Sequence, residues 1–512
     1  MRPTVPTFAK MPAHAEIIIA GAGFGGTLLA LILKKMGHDV WLLERSSHPR
    51  FAIGESSTPI ADMVLRDLAK TYGLSWLTPL SRYGSWKQAH PELRVGLKRG
   101  FSYYFHQAGK PFTDDQTHRN SLLIAASSSD EASDTQWYRP HFDEFIVQQA
   151  VAAGVPYFDR TEIVRAAQNG PNGQWYLSLK NGKSTHEISA GFIIDATGSE
   201  QLSSMMGVKP SAYRFQTSSV AFYSHFRGVP EWKAQLEQSG IPTKAYPFHP
   251  DHAALHHLLD EGWLWMLRFS DGLLSAGFML SYEDQKQLCR SSNEKLWPYL
   301  LGRYPSLKTL FGDAVIADPP AAMIKSKPLQ RLTASATGPR SAALPHSAGF
   351  VDPMHSTGIA ITLAAVEKLA AIFADTKPGH QPGHYVLESY SLSVMREIQL
   401  IDLLVAGCYK TRRHPDLFEA WLSCYFCCSI SYEQARLRGE RPASFLNALQ
   451  SPLTGMVRAA WDDLLRLESA GFPEDESRRF TETMRNRIKP WNIAGLLTPG
   501  QKMYAHTAVE IT

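Results

Sequence analysis

The amino-acid sequence predicts an α/β fold: a parallel-sheet lobe, a second sheet interleaved with it, and a helical C-terminal region. Three observations predict it. A strand, a glycine-rich turn, a helix and a second strand follow one another near the start of the chain. Strand-like segments separated by Gly and polar turns fill the middle. From about Tyr385 the pattern turns helical, with breaks near Gly439, Arg441 and Pro442 and between Gly471 and Pro473.

Residues 16–20 (EIIIA) form a short β-branched apolar run, as expected of a strand buried on both faces of a parallel sheet. The turn Gly21-Ala22-Gly23-Phe24-Gly25-Gly26 follows, then the helical TLLALILKKMG, then a second strand at 39–43 (DVWLL). A helix is expected over 61–72, one strand over 97–105 (LKRGFSYYF), and a helix over 142–153 that stops at Gly154. Strands are expected over 157–165, 175–179 and 186–195, with a hairpin turn at 169–173. Further strands at 218–227, 262–269 and 273–280 make the second sheet. The expected organisation is a flexible start at 1–14, a lobe over 15–380 with the inserted sheet at about 200–340, and the helical region over 381–512.

Composition narrows the function classes. The 512 residues are 44% hydrophobic and 20% charged, a globular balance that argues against disorder and fibres. At ~150 residues per domain the length allows about three units. The net charge is +4 with no block of like charges, so no nucleic-acid partner is expected. Five cysteines are too few and too odd for a secreted disulfide framework. Cys424, Cys427 and Cys428 lie close together but lack a second ligand pair for zinc, so they read as reduced, buried thiols and no metal is expected. No apolar run approaches the ~20 residues of a membrane span. The first fifteen residues lack the apolar centre of a signal peptide, so the expected compartment is the cytoplasm.

The glycine turn carries chemistry. Gly21 permits the tight turn, Gly23 lets backbone approach a pyrophosphate, and Gly26 lets helix and strand pack closely, with Ala22 and Gly25 completing the loop. The helix N-terminus supplies amide donors and a positive dipole end for phosphates. Glu44, with Arg45 beside it, falls at the end of the second strand, where a carboxylate accepts ribose hydroxyls and repels a 2′-phosphate. NAD or FAD therefore fits better than NADP.

Two later segments choose FAD. Residues 192–198 (FIIDATG, with Asp195 and Gly198) resemble the Ala-Thr-Gly strand-turn of glutathione-reductase-type flavoproteins. Arg139 and Asp143, in RPHFDEF, resemble the helix start of aromatic-hydroxylase-type flavoenzymes, although Arg139 reads equally as a surface ion pair. No second GxGxxG exists for a nicotinamide dinucleotide, which suggests that electrons arrive on flavin already reduced.

The chain resembles the flavin-dependent halogenases, a branch of the aromatic-hydroxylase flavoprotein fold. Four segments carry the resemblance across roughly residues 15–370: GAGFGG at 21–26, IGESSTP at 53–59, GWLWML at 262–267 and GFVDPMHSTGI at 349–359. It implies an FAD-binding lobe in which Glu55, Ser56, Asp352, Pro353 and Ile359 join the glycine turn around the flavin. It implies that reduced FAD and oxygen convert a halide, chloride or bromide, into hypohalous acid. The acid passes to a lysine beside an electron-rich aromatic substrate such as a phenol, pyrrole or indole, free or tethered to a carrier protein. A separate flavin reductase supplies the FADH2 transiently, in secondary metabolism such as antibiotic biosynthesis. Ser356, Thr357 and Gly358 resemble the halide-binding turn, where backbone amides can make an anion nest. Lys98, in LKRGFSY, resembles the relay lysine of the phenol and pyrrole branch, with Lys87 as the reserve.

Three positions depart from the family pattern. The tryptophan motif continues Met266-Leu267-Arg268 where the family has x-Ile-Pro. His355 stands where tryptophan-halogenating members carry a glutamate, and reads equally as a flavin-side group titrating near neutral pH or as a packed polar residue. Pro345-His346 replaces a Gly-Asp whose aspartate holds the ribityl chain. The competing readings are an FAD hydroxylase, an isoprenoid-type flavin reductase of the same plan, and a non-catalytic flavin-binding scaffold.

Overall fold

The structure, a computed structural model, describes residues 11–170 and 173–505. Among these residues eight strands build the first sheet. Its centre is parallel: His14–Ala20 lies between Val40–Leu43 and Ser184–Asp195, which pairs onward with Ser341–Ala343. The continuous apolar run at 16–20 is explained by burial on both faces. Ile17 and Ile19 pack with the helices Phe24–Lys35 and Thr357–Ala374, while Ile18 and Ala20 pack with Trp175 and Leu177 of the hairpin behind. Each fully buried side chain of this size contributes ~1.5–3 kcal/mol. The 18-residue helix Thr357–Ala374 is long and apolar enough to cross a membrane, yet it is a core helix, 72% buried within the protein.

Nine of the described strands build the second sheet. Its order runs Val315–Ile316, Ser219–Arg227, Leu274–Ser281, Gly262–Arg268, Ala254–Leu259, Gly100–Phe105, Ser121–Ala125 and Met503–Tyr504, with Ile324–Lys325 also on Ser219–Arg227. One face, with Phe101, Tyr103, Trp263 and Trp265, joins the main core. The other face, with Tyr104, Leu264 and Met266, packs on the helices Asn293–Arg303 and Pro305–Leu310. The sheet therefore draws strands from 100–125 and from the C-terminal end as well as from the expected 200–340.

Several expectations change. The expected strand 97–105 is two strands in different sheets: Val95–Lys98 pairs with Asp134–Trp137, and Gly100–Phe105 joins the large sheet. The break is at Arg99, whose N–H donates to His252 (2.7 Å) and whose carbonyl accepts from Ala126 (2.7 Å). The chain crosses so close there that a Cβ on Gly100 would sit 2.1 Å from the Ile124 carbonyl oxygen. The strand expected over 157–165 is Tyr157–Phe158 and Glu162–Gln168, divided where Arg160 turns left-handed at φ 49°. The strand Ala254–Leu259 escaped notice because His256 and His257 interrupt its apolar pattern. Of the expected flexible start, residues 1–10 lie outside the described residues, Met11 is buried and His14 opens the first strand. Pro171 and Asn172 of the hairpin turn also lie outside them.

The C-terminal region is four long helices, His384–Thr411, Pro415–Leu437, Ser451–Ser469 and Glu474–Ile488. Its core is continuous with that of the lobe. Polar anchors fix the two together. The Arg436 guanidinium, 2% exposed, meets Glu367 at 2.8 Å and also Asp67. Asp402 accepts the Gln216 and Thr217 amides at 2.7 and 3.0 Å. Cys424, Cys427 and Cys428 are buried free thiols on Pro415–Leu437.

Candidate active site

Two neighbouring cavities flank the glycine turn and share Arg50, Ala196 and Thr197 in their walls. The smaller, about 400 Å³, is lined by Gly21, Glu44, Arg45 and Ser46. The larger, about 460 Å³, runs from Gly23 and Arg139 past Glu55, Ser56, Trp263 and Trp265 to the turn Ser356-Thr357-Gly358.

The glycines do what the spacing predicts. Gly21 holds φ 106°, and a Cβ there would lie 2.3 Å from the Ala196 carbonyl oxygen. A Cβ on Gly26 would lie 2.2 Å from the Gly21 carbonyl oxygen and 2.8 Å from the Ala196 Cβ, so helix and strand touch through that position. Gly25 makes the same allowance for the helix Thr357–Ala374, where a Cβ would meet the Thr362 methyl at 2.5 Å. A Cβ on Gly23 would clash with nothing. It would project toward Arg139 and Arg50, 3.6 Å from each. Gly23 is also the N-cap of Phe24–Lys35 and no side chain caps that end, so its dipole faces the larger cavity with two guanidinium groups beside it.

Glu44 is buried at the end of its strand. It accepts the Ala22 amide at 3.1 Å and the Ser46 amide at 2.9 Å, with Arg50 at 3.4 Å. Ala22 thus holds the carboxylate in place. Arg139 is an ion pair, but a buried one: it donates to both oxygens of Asp143 at 2.8 Å and to the Ile53 and Gly54 carbonyls at 3.1 Å. Its guanidinium lies 4.8 Å over the Phe24 ring, on the cavity wall.

The other expected residues divide by role. Ala196, Thr197 and Gly198 line the cavity, whereas the Asp195 carboxylate turns inward to accept Thr197 and Ser203 and so shapes the turn. Asp352, Pro353 and Ile359 line the cavity beside Ser356, Thr357 and Gly358. Asp352 accepts Ser219 at 2.7 Å, Tyr409 at 2.8 Å and the Met354 amide at 3.1 Å. Burial pushes its carboxyl up to about 6. Ser356 adopts the left-handed region, φ 52°, without a side-chain cap on the helix that begins at Thr357, so the first amides of that helix remain open toward the cavity.

The residues fit a dinucleotide such as FAD on the structure's own terms. The open backbone at Gly23 leaves a cradle that a side chain would fill. Glu55 Oε2 and Ser56 Oγ are buried in the cavity wall without protein partners, Glu55 Oε1 being held by His225 at 2.9 Å. Arg331, which no motif announced, donates to the Gly198 carbonyl at 2.6 Å and leaves its Nε unpartnered.

Two departures from the family pattern acquire structures. Trp263 and Trp265 both line the cavity on the strand Gly262–Arg268, and Gly277 clears space for Trp265, whose ring a Cβ there would meet at 2.4 Å. Leu267 faces the cavity and Arg268 turns away to the Val229 and Pro230 carbonyls. His346, in the place of the ribityl aspartate, lines the cavity with its Nδ1 3.0 Å from the Thr362 hydroxyl. His355 takes the second of its two readings, a packed residue. Its ring stacks on Tyr425 at 4.3 Å and is buried outside the cavity wall, and burial pulls it down to about 4. It stays neutral at pH 7.

Lys98 lies outside the cavity lining. It is wholly buried at the end of Val95–Lys98, donates to the Ser57 carbonyl, and sits 4.3 Å over the Phe101 ring. Phe101 stacks on His256 at 6.1 Å, and His256 is a wall of the larger cavity. Two stacked rings, Phe101 and His256, therefore stand between Lys98 and the cavity along this path. Burial pulls the Lys98 ammonium down to about 8 against the pull of nearby Asp134, Asp62 and Glu433. None of these three acids carries a sequence signal, because strand pairing and the helical region bring them together. Lys87 lies half-buried at the end of the short helix Tyr83–Ala89.

No protein-family model matches the chain. Among curated proteins, monodechloroaminopyrrolnitrin halogenase PrnC of Pseudomonas fluorescens is 28% identical over 370 residues, 70% of this chain and 61% of that protein. Tetracycline 7-halogenase of Kitasatospora aureofaciens is 24% identical over 369 residues, 69% of this chain and 62% of that protein. The chain thus spans about three fifths of the length of these relatives. Among solved structures, halogenase PltM matches with a TM-score of 0.84 at 21% identity, over 96% of this chain and 99% of PltM. The myxobacterial chondrochloren halogenase CndH matches with a TM-score of 0.60 at 19% identity, over 93% and 97%. At these identities the structural likeness establishes the fold. Gly54, Glu55 and Ser56, the glycine turn and the turn Ser356-Thr357-Gly358 gather on one cavity, and in sequence the chain is similar to flavin-dependent halogenases.

Proposed function

We propose that the protein halogenates an electron-rich aromatic substrate, using FADH2 and oxygen, with Lys98 as the relay residue. The observation that carries this reading is the placement of Lys98: a buried ammonium, bonded to the Ser57 carbonyl, behind the stacked rings of Phe101 and His256, the latter on the wall that also holds Trp263 and Trp265. Bound FAD, once reduced, supplies with oxygen the two-electron oxidant that turns halide into hypohalous acid.

This chain's residues do the rest. Gly21, Gly23 and the open helix end hold the pyrophosphate with Arg50 and Arg139 nearby, and Glu44 with Arg45 receives the adenosine ribose. Glu55, Ser56, Asp352, Pro353, Ile359 and Gly198 surround the flavin end. The amides at Thr357 and Gly358, with Ser356 at the left-handed cap, attract the halide, chloride or bromide. The tryptophan wall keeps the substrate ring away from the flavin, which disfavours simple hydroxylation. Lys98 holds the hypohalous acid by donating a hydrogen bond, or takes the halogen as a free amine. Its midpoint near 8 makes both forms reachable. A separate flavin reductase supplies the reduced cofactor, the substrate is a phenol, pyrrole or indole, free or carrier-bound, and the compartment is cytoplasmic.

The test supplies FAD, a flavin reductase, NADH, oxygen and bromide, with an electron-rich phenol as trap. Mass spectrometry is expected to show a brominated product that Lys98→Met abolishes while flavin oxidation continues. A product carrying one extra oxygen, formed equally without halide, would refute the reading.

A further inference from the structure

Resting on the reading of Lys98 as the relay residue, the geometry points to Asp134, Asp62 and Glu433 as its positioning residues: Asp62 and Asp134 hold one proton between them and present a single carboxylate charge to the ammonium, and Glu433 closes the same cage as a neutral acid.

Three separate elements bring these groups together. Lys98 and Asp134 are directly opposed partners of the antiparallel pair Val95–Lys98 and Asp134–Trp137, so their side chains share a face. Asp62 comes from the first turn of the helix Pro59–Tyr72. Glu433 comes from Pro415–Leu437 of the helical region. The Ser57 carbonyl that receives Lys98 belongs to the segment leading into Pro59–Tyr72. Ser57 is itself fixed to Thr135 by two hydrogen bonds of 3.0 Å.

All four side chains are buried, at 0% exposure for Lys98, 3% for Asp62 and Asp134, and 4% for Glu433. Asp62 Oδ1, Asp134 Oδ2 and Glu433 Oε2 each lack a protein donor. Three carboxylates around one ammonium in a dry interior cannot all carry charge. Asp62 and Asp134 act on each other electrostatically in this dry interior, and neighbouring buried carboxyls are most stable when one of the two carries a proton. Burial, with Asp134 beside it, drives Asp62 well above the usual range, and burial does the same to Glu433. Burial pushes Asp134 up to about 6, against the pull of Lys98. At pH 7 the cage therefore holds one positive and one negative charge. Arg66, on the Asp62 helix, is the other cation felt by both aspartates, and His256 on the neighbouring strand is kept neutral by burial, at about 3. The two aspartates titrate as a unit.

The cage explains how a fully buried lysine keeps its charge yet stays close to losing it. The aspartate pair supplies one opposing charge, held mainly on Asp134, and Glu433 lies against it as a neutral acid that adds no second charge.

The test is a pH titration of the full chain labelled with ¹⁵Nζ-lysine. The Lys98 resonance is the one absent from Lys98→Met. Its midpoint is expected near 8 in the parent. Asp134→Asn is expected to lower it by ~1–2 pH units, since an opposing charge is lost. Asp62→Asn and Glu433→Gln mimic the neutral acids and are expected to leave it within ~0.5 unit. An unmoved midpoint in Asp134→Asn overturns the assignment, as does a fall of more than ~1 unit in either mimic. The mimics decide the matter by themselves if Asp134→Asn does not fold. Persistent halogenation by Lys98→Met refutes the relay role and leaves the titration result standing.

Discussion

Replacing Lys98 with Met should change how stability depends on pH, in a direction the buried charge dictates. Burial holds the ammonium at about 8 against an ordinary 10.5. Between those values the unfolded chain binds the proton and the folded chain does not, so Lys98 adds stability as pH rises through that window. At 1.36 kcal/mol per pH unit the whole window is worth about 3 kcal/mol, and about 1 kcal/mol of it falls between pH 7 and 9. The parent alone does not reveal this. Tyr103, Tyr104 and Cys408 are buried with raised values, ionise only in the unfolded chain at high pH, and destabilise the fold there. The difference between parent and Lys98→Met isolates the lysine. In the variant Asp134 loses its cation and binds its proton more tightly, which lowers the variant's stability as pH rises and adds to the difference with the same sign. Urea unfolding at half-unit steps from pH 7 to 9 is the assay. Parent minus variant should climb by about 1 kcal/mol or more. Parallel curves, or a difference that falls, would refute the claim that Lys98 is buried as an ammonium.

Two further outcomes follow from particular contacts. Gly26→Ala places a methyl 2.2 Å from the Gly21 carbonyl oxygen, so it should weaken FAD binding at least ~10-fold and destabilise the fold by ~1–3 kcal/mol, measured by quenching of flavin fluorescence and by thermal melting. Arg436→Met leaves Glu367 with only the more exposed Arg441 at 3.9 Å and should cost about 3 kcal/mol in urea unfolding, with little dependence on added salt because the Arg436 pair is largely out of solvent.

The first lobe was legible because its signals are local. A β-branched run, three glycines at fixed offsets and an acid at a strand end each have one physical reading, and Gly21, Gly26 and Glu44 occupy the positions that reading requires. The helical region was legible through Gly439 and Gly471, both left-handed in the structure. What sequence could not show depends on long-range pairing. Residues 97–105 look like one strand because local pattern cannot say that Lys98 pairs with Asp134 while Gly100 pairs with Ala125 in another sheet. His355 left two readings open because its neighbours in sequence line the cavity, but its ring points to Tyr425. The acids around Lys98 come from positions 62, 134 and 433, and no spacing rule joins them.

The segment from Ile53 to Asp62 explains why cavity and lysine sit side by side yet apart. Ile53, Gly54, Glu55 and Ser56 line the larger cavity, whereas the Ser57 carbonyl receives Lys98 and Asp62 closes the cage. Consecutive residues of extended chain point to opposite sides, so Ser56 and Ser57 serve different compartments across a single backbone. That backbone is held by the strand Asp134–Trp137: the Trp137 amide donates to the Glu55 carbonyl at 2.6 Å, and Ser57 and Thr135 exchange the two bonds already described. The strand pair bearing Lys98 and Asp134 belongs to neither large sheet, so its position is set by this segment and by the chain after Gly262–Arg268, whose Ser270 amide donates to the Val95 carbonyl at 3.0 Å. The thin partition has a chemical consequence. Lys98 is closed off from the cavity that holds Trp263 and Trp265, so a molecule in that cavity meets the ammonium only if Phe101, His256 or this backbone shifts.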